Sequence, residues 1–325
     1  MRFIIYGVGA IGGTFAAALA RAGHDVIGIA RGRMLEAIRA AGGLTFRTPA
    51  GSDRVSFPVV AAPSDIAFRP DDVVFLAMKG QDTAAALEAL RAAGVTTQAI
   101  VCAQNGVNNE RAALRLFPNV YGMTVMLPAD YVTPGEVICY GTPKLGLVNL
   151  GRYPQGLDDT VAAIAAAMDS AGFAAFPLEH VMRSKYGKLR DNLGNVVEAA
   201  LGHGARSGAL MEPIQAEADR VYDAAGIERI AVGNADPRRK GLMEMGAVDG
   251  VTRTGGSSVQ SLKRGAGSIE TDWLNGEIVL LGRLHGVPTP LNAGLVAIGH
   301  ELIAKGARPG SMSEADLRAR IGLED

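Results

Sequence analysis

The N-terminal run MRFIIYGVGAIGG constrains the fold of this chain more than any other feature. Phe3 to Tyr6 is a short apolar segment typical of a buried strand, and Gly7, Gly9 and Gly12 follow it as G-x-G-x-x-G. Small residues then continue at helical spacing to Ala20. In a strand–turn–helix unit the first glycine permits the tight turn, the second lets a pyrophosphate approach the backbone, and the third lets the helix pack on the strand. The motif therefore predicts a dinucleotide site, the alternative being a glycine-rich turn without a ligand.

The start of this first helix supplies the predicted pyrophosphate contacts. Free N–H groups and a partial positive charge at a helix N-terminus favour phosphate. We therefore expect the cofactor to contact the loop and the first helical turn. The predicted residues are Gly7, Gly9, Ala10, Ile11 and Gly12.

The end of the second strand predicts which dinucleotide binds. Asp25 to Ala30 has a strand pattern, and Arg31-Gly32-Arg33 follows it. Sites that prefer NAD usually carry Asp or Glu here, about 20 residues past the motif, to bind the ribose 2′-hydroxyl. A guanidinium suits a 2′-phosphate instead, because its planar fork donates two hydrogen bonds. NADP(H) is therefore favoured over NAD(H), with Arg31 as a ligand. The alternative is a pair of solvated loop arginines.

The order of strand and helix patterns predicts two domains. Up to about residue 179 apolar strand-like runs alternate with alanine-rich helical runs, which is typical of a doubly wound, mostly parallel Rossmann-type sheet. Two runs, Val137 to Tyr140 and Lys144 to Val148, flank a Gly-Thr-Pro segment and predict an antiparallel hairpin added to the sheet. After Glu179 strand patterns stop and long helical patterns follow. We expect a Rossmann-type domain over 1–179 and an all-helical substrate domain over 180–325, an α/β fold class.

Composition excludes several classes of function. The net charge of −1 gives no electrostatic basis for binding nucleic acid or an anionic membrane. No apolar stretch reaches the roughly 18 residues of a membrane span, and no signal peptide precedes the first strand, so a cytoplasmic location is expected. Cys102 and Cys139 lie in apolar runs and are expected to be buried hydrophobes. The five histidines show no metal-ligand spacing, and no metal is expected.

Polar residues at strand ends and on one later helix are the candidates for chemistry. Lys79 and Asn105 each follow a strand, at the carboxyl edge where ligands of open α/β sheets bind, although Asn105-Gly106 is also a good turn former. Lys188 and Asn192 are four residues apart, so both project from one helix face and can serve a substrate oxygen. A solvated surface pair is the alternative. Glu270 lies near a helix start, and the alternative for it is N-terminal capping.

These motifs in this order resemble the ketopantoate reductase (2-dehydropantoate 2-reductase) family from Gly7 to about Asn292. Any one of the motifs is weak, but the ordered set is specific, and Ser258 and Glu270 stand twelve residues apart as in the family pattern. The motifs are the N-terminal G-x-G-x-x-G, Lys79, Gln104-Asn105-Gly106, Lys188-Leu189 with Asn192, Ser257-Ser258, Glu270-Thr271-Asp272 with Asn275-Gly276, and Gly286 to Asn292.

The resemblance implies a reaction and a set of roles. It implies NADPH-dependent reduction of a 2-oxo acid, ketopantoate to pantoate in pantothenate biosynthesis, with Lys188 as the general acid and Glu270 beside it at the catalytic centre. Asn192, Ser258 and Glu270 would bind substrate, and Asn105 would lie near both nicotinamide and substrate. Arg31 and Lys79 would hold the 2′-phosphate. The small-molecule acid is the expected partner, and a homodimer is a candidate assembly.

The substrate end departs from the family pattern. Val196 stands where the family has a second asparagine, with Asn195 one residue early, and Gly255 replaces an asparagine three residues before Ser258. Lost amides mean lost hydrogen bonds to a hydroxylated substrate, each worth about 1 kcal/mol. Two alternatives stay open: another NADP-dependent reductase of a 2-oxo acid or ketone on the same fold, and a protein that senses NADP without turnover.

Overall fold

The computed structural model describes residues 1–323 and divides into two compact units. The first unit contains Met1–Lys185 and Ala231–Thr252, and the second contains Tyr186–Ile230 and the residues from Arg253 onward. This division differs from the expected boundary after residue 179 in two ways. It falls six residues later, inside a helix, and the chain returns to the first unit before the second is complete.

The strands alternate with helices through the first unit. In chain order the strands are β1 (Arg2–Tyr6), β2 (Asp25–Ile29), β3 (Leu44–Thr48), β4 (Gly51–Val55), β5 (Val59–Val60), β6 (Asp72–Leu76), β7 (Ala99–Cys102), β8 (Val120–Met126), β9 (Ala129–Asp130), β10 (Glu136–Cys139), β11 (Gly141–Pro143), β12 (Leu147–Arg152), β13 (Ala174–Pro177) and β14 (Met243–Met245). The helices are α1 (Ala10–Arg21), α2 (Gly32–Ala41), α3 (Thr83–Ala92), α4 (Asn109–Leu114), α5 (Asp159–Ser170), α6 (Val181–Asn192), α7 (Asn195–Leu201), α8 (Gly208–Ala224), α9 (Ser257–Lys263), α10 (Asn275–His285), α11 (Pro290–Ala304) and α12 (Glu314–Ile321).

Eight strands form the main sheet of the first unit, in the order β13-β12-β8-β7-β6-β1-β2-β5. Every neighbouring pair is parallel except β8 and β12. Residues alternate between its faces: Phe3 and Ile5 pack with Phe15 of α1 on one side, while Ile4 packs with Leu87 of α3 on the other. Helices therefore cover both faces, and the predicted Rossmann-type α/β class with a following helical region is confirmed.

The predicted hairpin around Gly141 is wrong. Its first run, β10, joins a second sheet of order β4-β3-β10-β9, where it is parallel to β3. The last residues of its second run, Leu147 and Val148, form the start of β12. This strand lies inside the main sheet, antiparallel to β8. Five of the six β12 residues are buried, so both of its faces are covered, and a strand covered on both faces belongs inside a sheet. The apolar runs were correctly placed as strands, but their partners are distant in sequence.

Residues 231–252 correct the expectation that strands end at Glu179. Within this segment β14 pairs antiparallel with β11, and Gly246 N–H donates to the Tyr140 carbonyl over 2.7 Å. Val232 and Met243 join a buried cluster with Met126 and Leu147 of the main sheet. The guanidinium of Arg238 lies 4.4 Å from the centre of the Phe176 ring. The segment thus completes the first unit rather than the helical one.

The second unit is built from helices. The long helical patterns expected after Glu179 are present there as α6, α7 and α8, followed by α9 to α12. Within residues 1–323 no helix combines the length and the apolar character needed to cross a membrane.

Candidate functional site

The turn between β1 and α1 needs two of its three glycines for its own packing. Gly7 has a φ of +103°, and a Cβ on it would meet the Met78 backbone nitrogen at 2.8 Å. A Cβ on Gly12 would lie 2.1 Å from the Gly7 carbonyl oxygen and 2.9 Å from the Ala77 Cβ. Gly7 therefore makes the tight turn and Gly12 lets α1 approach the end of β1, as the motif predicts.

Gly9 has no such constraint. Its backbone is extended, with φ −104° and ψ −154°, and among the described residues a Cβ there would meet only the Tyr131 ring, at 4.0 Å. Glycine is thus not required by the protein's own packing at this position. Gly9 is also the N-cap of α1, and as a glycine it has no side chain to cap that end. Ala10 and Ile11 begin the helix, so their N–H groups have no partner within it. An open backbone beside uncapped amides fits a pyrophosphate.

The other predicted cofactor residues lie at the carboxyl ends of neighbouring strands. Arg31 follows β2 and is the N-cap of α2, and its side chain is 73% exposed. Its Nη2 lies 3.6 Å from Oδ1 of Asp82, which ends the short 3-10 helix over Gly80–Asp82. Lys79 is the N-cap of that short helix, three residues after the end of β6, and is half-buried. Burial raises the pKa of the Tyr6 hydroxyl nearby, with Arg31 lowering it and Asp82 raising it.

Asn105 follows β7 at the same edge, and a chain of hydrogen bonds ends at its backbone carbonyl. The Gln104 amide donates to the Thr83 hydroxyl over 2.7 Å, and that hydroxyl donates to Asn109 Oδ1 over 2.8 Å. Asn109 Nδ2 then donates to the Asn105 carbonyl over 3.0 Å. Gly106 turns the chain with a φ of +80°. These bonds fix the backbone from which the Asn105 side chain projects.

A buried ion pair that the sequence did not indicate lies next to Gln104 of this loop. Lys185 Nζ is 2.7 Å from Glu110 Oε1, with the two side chains 2% and 0% exposed. The same ammonium donates to the Gln104 carbonyl over 2.7 Å. Burial raises the pKa of the Cys102 thiol well above its usual range, with Glu110 adding to the rise and Lys185 opposing it. Both cysteines are buried, as expected, and burial also raises the pKa of Cys139 to about 12.

In the second unit, Lys188 and Asn192 lie one turn apart on α6, as predicted. Lys188 is half-buried and Asn192 is 6% exposed. Between them, burial raises the pKa of Asp191, while the charges of Lys188, Arg190 and Arg206 act to lower it. A partly buried lysine beside a buried amide can donate a proton and a hydrogen bond to one oxygen. A fully solvated pair, the alternative, does not fit this burial.

Ser258 and Glu270 are also buried in this unit. Ser258 is 3% exposed in the first turn of α9, and Glu270 is 6% exposed as the N-cap of the 3-10 helix Thr271–Trp273. No side-chain capping bond to this helix from Glu270 is present in the described structure. Simple helix capping therefore does not explain a buried glutamate at this position.

A second polar cluster, which the sequence did not reveal, surrounds Glu198 of α7. Its carboxylate contacts His203, Arg206 and the N–H of Gly256. Burial would raise the pKa of Glu198, but the bond with His203, the charge of Arg206 and the Gly256 N–H hold it below its usual range. His203 and Arg206 are near Glu198 in the sequence, but the Gly256 N–H lies 58 positions away, so its contact could not be predicted from a local pattern.

Two of the family-like motifs have a structural role. Asn275 Nδ2 donates to the Leu193 carbonyl over 3.2 Å and to Asn292 Oδ1 over 3.0 Å. Asn292 in turn donates from its backbone N–H and its amide to Glu217 Oε1. These buried residues join the end of α6 to α8, α10 and α11, so their part is to hold the helices rather than to meet a ligand.

Comparison with known proteins gives matches along most of the chain. A family model described as ketopantoate reductase PanE/ApbA matches residues 3–155, and one described as its C-terminal part matches residues 179–302. The 2-dehydropantoate 2-reductase of Mesorhizobium japonicum is 30% identical over 338 residues, covering 93% of this chain and 98% of the relative. That of Aquifex aeolicus is 26% identical over 304 residues, covering 90% and 94%.

Solved structures share the fold. The crystal structure of a PanE/ApbA family ketopantoate reductase from Ralstonia eutropha JMP134 has a TM-score of 0.75 at 27% identity, covering 94% of this chain and 99% of that one. D-mandelate dehydrogenase with NADH and anilino(oxo)acetate has a TM-score of 0.77 at 21% identity, with the same coverage. The second likeness concerns the fold alone.

Proposed function

The chain belongs to the ketopantoate reductase PanE/ApbA family, and from this membership we propose that it reduces a 2-oxo acid to the 2-hydroxy acid with NADPH. As a member it is an oxidoreductase acting on CH–OH groups, its function is of the ketopantoate reductase kind, and its cofactor is a nicotinamide dinucleotide. The observation that carries the proposal is the pairing of Lys188 with Asn192 on α6, in a unit that also buries Ser258 and Glu270.

The dinucleotide would be held by the first unit. The open backbone at Gly9 and the uncapped start of α1 at Ala10 and Ile11 fit its pyrophosphate. Arg31 is exposed and stands at the position where NAD sites usually have an acidic residue for the ribose 2′-hydroxyl. Together with Lys79 it would bind a 2′-phosphate. Asn105 would adjoin the nicotinamide. When bound, NADPH supplies the hydride that reduces the carbonyl carbon.

Lys188 would serve the substrate oxygen. Reduction of a ketone leaves negative charge on oxygen, so an ammonium in a partly buried place stabilises that charge and gives up its proton. An arginine would bind the charge but not release a proton. Asn192 and Ser258 would orient the 2-oxo acid by hydrogen bonds. Glu270 would bind the substrate beside its reacting oxygen. A protein that senses NADP without turnover would need no acid at Lys188.

The first experiment is a panel of 2-oxo acids assayed by the loss of NADPH absorbance. We expect at least one acid to be turned over, and Lys188→Ala to slow that turnover by about 10²–10⁴-fold, the usual contribution of a general acid. The matched control is Lys305→Ala, which removes an exposed lysine at the end of α11. A Lys188→Ala variant that turns over at nearly the parent rate would refute the catalytic role.

The cofactor is tested by titrating NADPH and NADH separately. We expect tighter binding of NADPH, and loss of that preference in Arg31→Ala. Equal affinities in the parent protein would contradict the proposed 2′-phosphate site.

The substrate is proposed only as a 2-oxo acid, because Val196 and Gly255 lack the amides of the family pattern. We expect the kcat/KM for ketopantoate to exceed that for the same acid without its hydroxyl by well under the ~10⁴ that a hydroxyl-matched site reaches. A ratio near that limit would show that other groups replace the amides.

A further inference from the structure

We propose that Glu198 is a positioning residue that fixes the turn at Gly255–Gly256 and thereby the serine pair that follows it. This inference rests on the proposed role of Ser258 in substrate binding. It explains why this chain has glycine where the family pattern has asparagine at position 255.

Both oxygens of the Glu198 carboxylate are engaged within the second unit. Oε1 accepts from the Gly256 N–H over 3.1 Å and lies 2.7 Å from His203 Nδ1. Oε2 accepts from Arg206 Nη2 over 2.8 Å. The side chain is only 8% exposed, so the bond to Gly256 is a charge-assisted bond shielded from water. Such a bond holds a backbone N–H more firmly than a neutral acceptor does.

A side chain at either glycine of the turn would displace the Glu198 carboxylate from its present position. A Cβ on Gly255 would lie 2.9 Å from Glu198 Oε1 and 3.2 Å from His203 Nδ1. A Cβ on Gly256 would lie 2.9 Å from Glu198 Oε2 and 3.2 Å from Arg206 Nη2. Gly255 also has a φ of +118°, which other residues rarely adopt. Glycine at 255 therefore fits both this backbone conformation and the position of the carboxylate.

Arg206 extends the same network to the serine pair. Besides Glu198, its Nη2 donates to Asn195 Oδ1 over 2.7 Å, and Asn195 Nδ2 is 3.4 Å from the Ser257 hydroxyl. Asn195 is the residue that stands one position early relative to the family pattern. It thus supports the start of α9 through Ser257, next to Ser258.

The residues next to Glu198 on α7 are apolar and buried, so a charged residue at 198 is unusual for this helix. Val196, Val197, Ala199 and Ala200 are each at most 1% exposed. A carboxylate among such neighbours loses its hydration, and only its three donors compensate for that loss. If support of α7 were the only requirement, an apolar residue would serve at 198.

The test compares Glu198→Gln with the parent in two measurements. The first is amide hydrogen exchange of the peptide that contains Gly256 to Ser258. A hydrogen bond to a charged group is stronger than one to a neutral group. We therefore expect amide exchange in this peptide to be roughly tenfold or more faster in Glu198→Gln than in the parent. The matched control is Glu301→Gln, which removes a carboxylate paired with Lys305 and Arg320 elsewhere in the same unit and should leave this peptide unchanged. Unchanged exchange in Glu198→Gln overturns the proposal.

The second measurement separates positioning from general support of the helix. We expect Glu198→Gln to raise the KM for the 2-oxo acid roughly tenfold while the Kd for NADPH stays the same. In a Ser258→Ala background this KM effect should vanish, because the serine is then absent. A KM effect that persists unchanged in that background overturns the proposal. If the parent turns over no 2-oxo acid, the proposed function fails, and the exchange measurement alone decides whether Glu198 holds the turn.

Discussion

Replacing Lys185 by Met is expected to destabilise the first unit severely. Methionine keeps the unbranched shape of the lysine stem but removes the ammonium that lies 2.7 Å from Glu110 Oε1. The Glu110 side chain is 0% exposed, so water cannot take the place of the ammonium. Removing one partner of such a pair leaves a buried charge uncompensated and costs about 3–5 kcal/mol.

The double variant Lys185→Met, Glu110→Met separates the cost of that stranded charge from the rest. It removes both charges, and exchange of a buried pair for apolar groups of similar volume is often neutral. The Gln104 carbonyl still loses the donor that lies 2.7 Å away, which costs roughly 1 kcal/mol. We therefore expect the double variant to be more stable than the single one by about 2–4 kcal/mol.

Urea unfolding followed by circular dichroism measures these differences from the midpoint and slope. The fluorescence of Trp273, the single tryptophan, reports separately on the second unit. The control is Arg91→Met, which removes a cation 2.6 Å from Glu88 where both side chains are more than half exposed, and should change stability by at most about 0.5 kcal/mol. A Lys185→Met loss no larger than that of this control would refute the reasoning.

Two further predictions concern the glycine turn and the Glu198 cluster. Gly9→Ala should leave the melting temperature almost unchanged and weaken NADPH binding, whereas Gly12→Ala should lower the melting temperature because its Cβ would lie 2.1 Å from the Gly7 carbonyl; unchanged NADPH affinity in Gly9→Ala would contradict a ligand there. The pKa of Glu198 is lowered on folding, so the stability it contributes is present above its usual pKa of 4.5 and is lost as the pH falls through the folded value. The stability gap between parent and Glu198→Gln should therefore shrink as the pH falls below about 4.5, and a gap that widens over that acid range would contradict this sign.

The part of the site that local pattern predicted lies at one edge of the main sheet. Gly9, Arg31, Lys79 and Asn105 each follow a strand, and parallel strands carry their carboxyl ends to a common edge. Short apolar runs and turn residues are enough to locate such positions. The pairing of strands is a different matter, since the runs on either side of Gly141 look like a hairpin but belong to two sheets.

Buried charges explain most of what the sequence could not predict. Lys185, Glu110 and Glu198 are charged residues within helices, and such residues are usually solvated. Their burial depends on donors supplied by chain segments far away: 81 positions separate Lys185 from the Gln104 carbonyl, and 58 separate Glu198 from the Gly256 N–H.

Taken alone, a glycine at position 255 indicates a lost amide and a weaker hold on substrate. Beside Glu198 it indicates a carboxylate that occupies the space of a side chain and binds the turn through the backbone. A substitution relative to a family pattern therefore has to be interpreted together with the residues that occupy the space of the missing side chain. On this reasoning an asparagine returned to 255 by itself should not restore a substrate contact, because its Cβ would meet the Glu198 carboxylate at 2.9 Å before its amide reached any ligand.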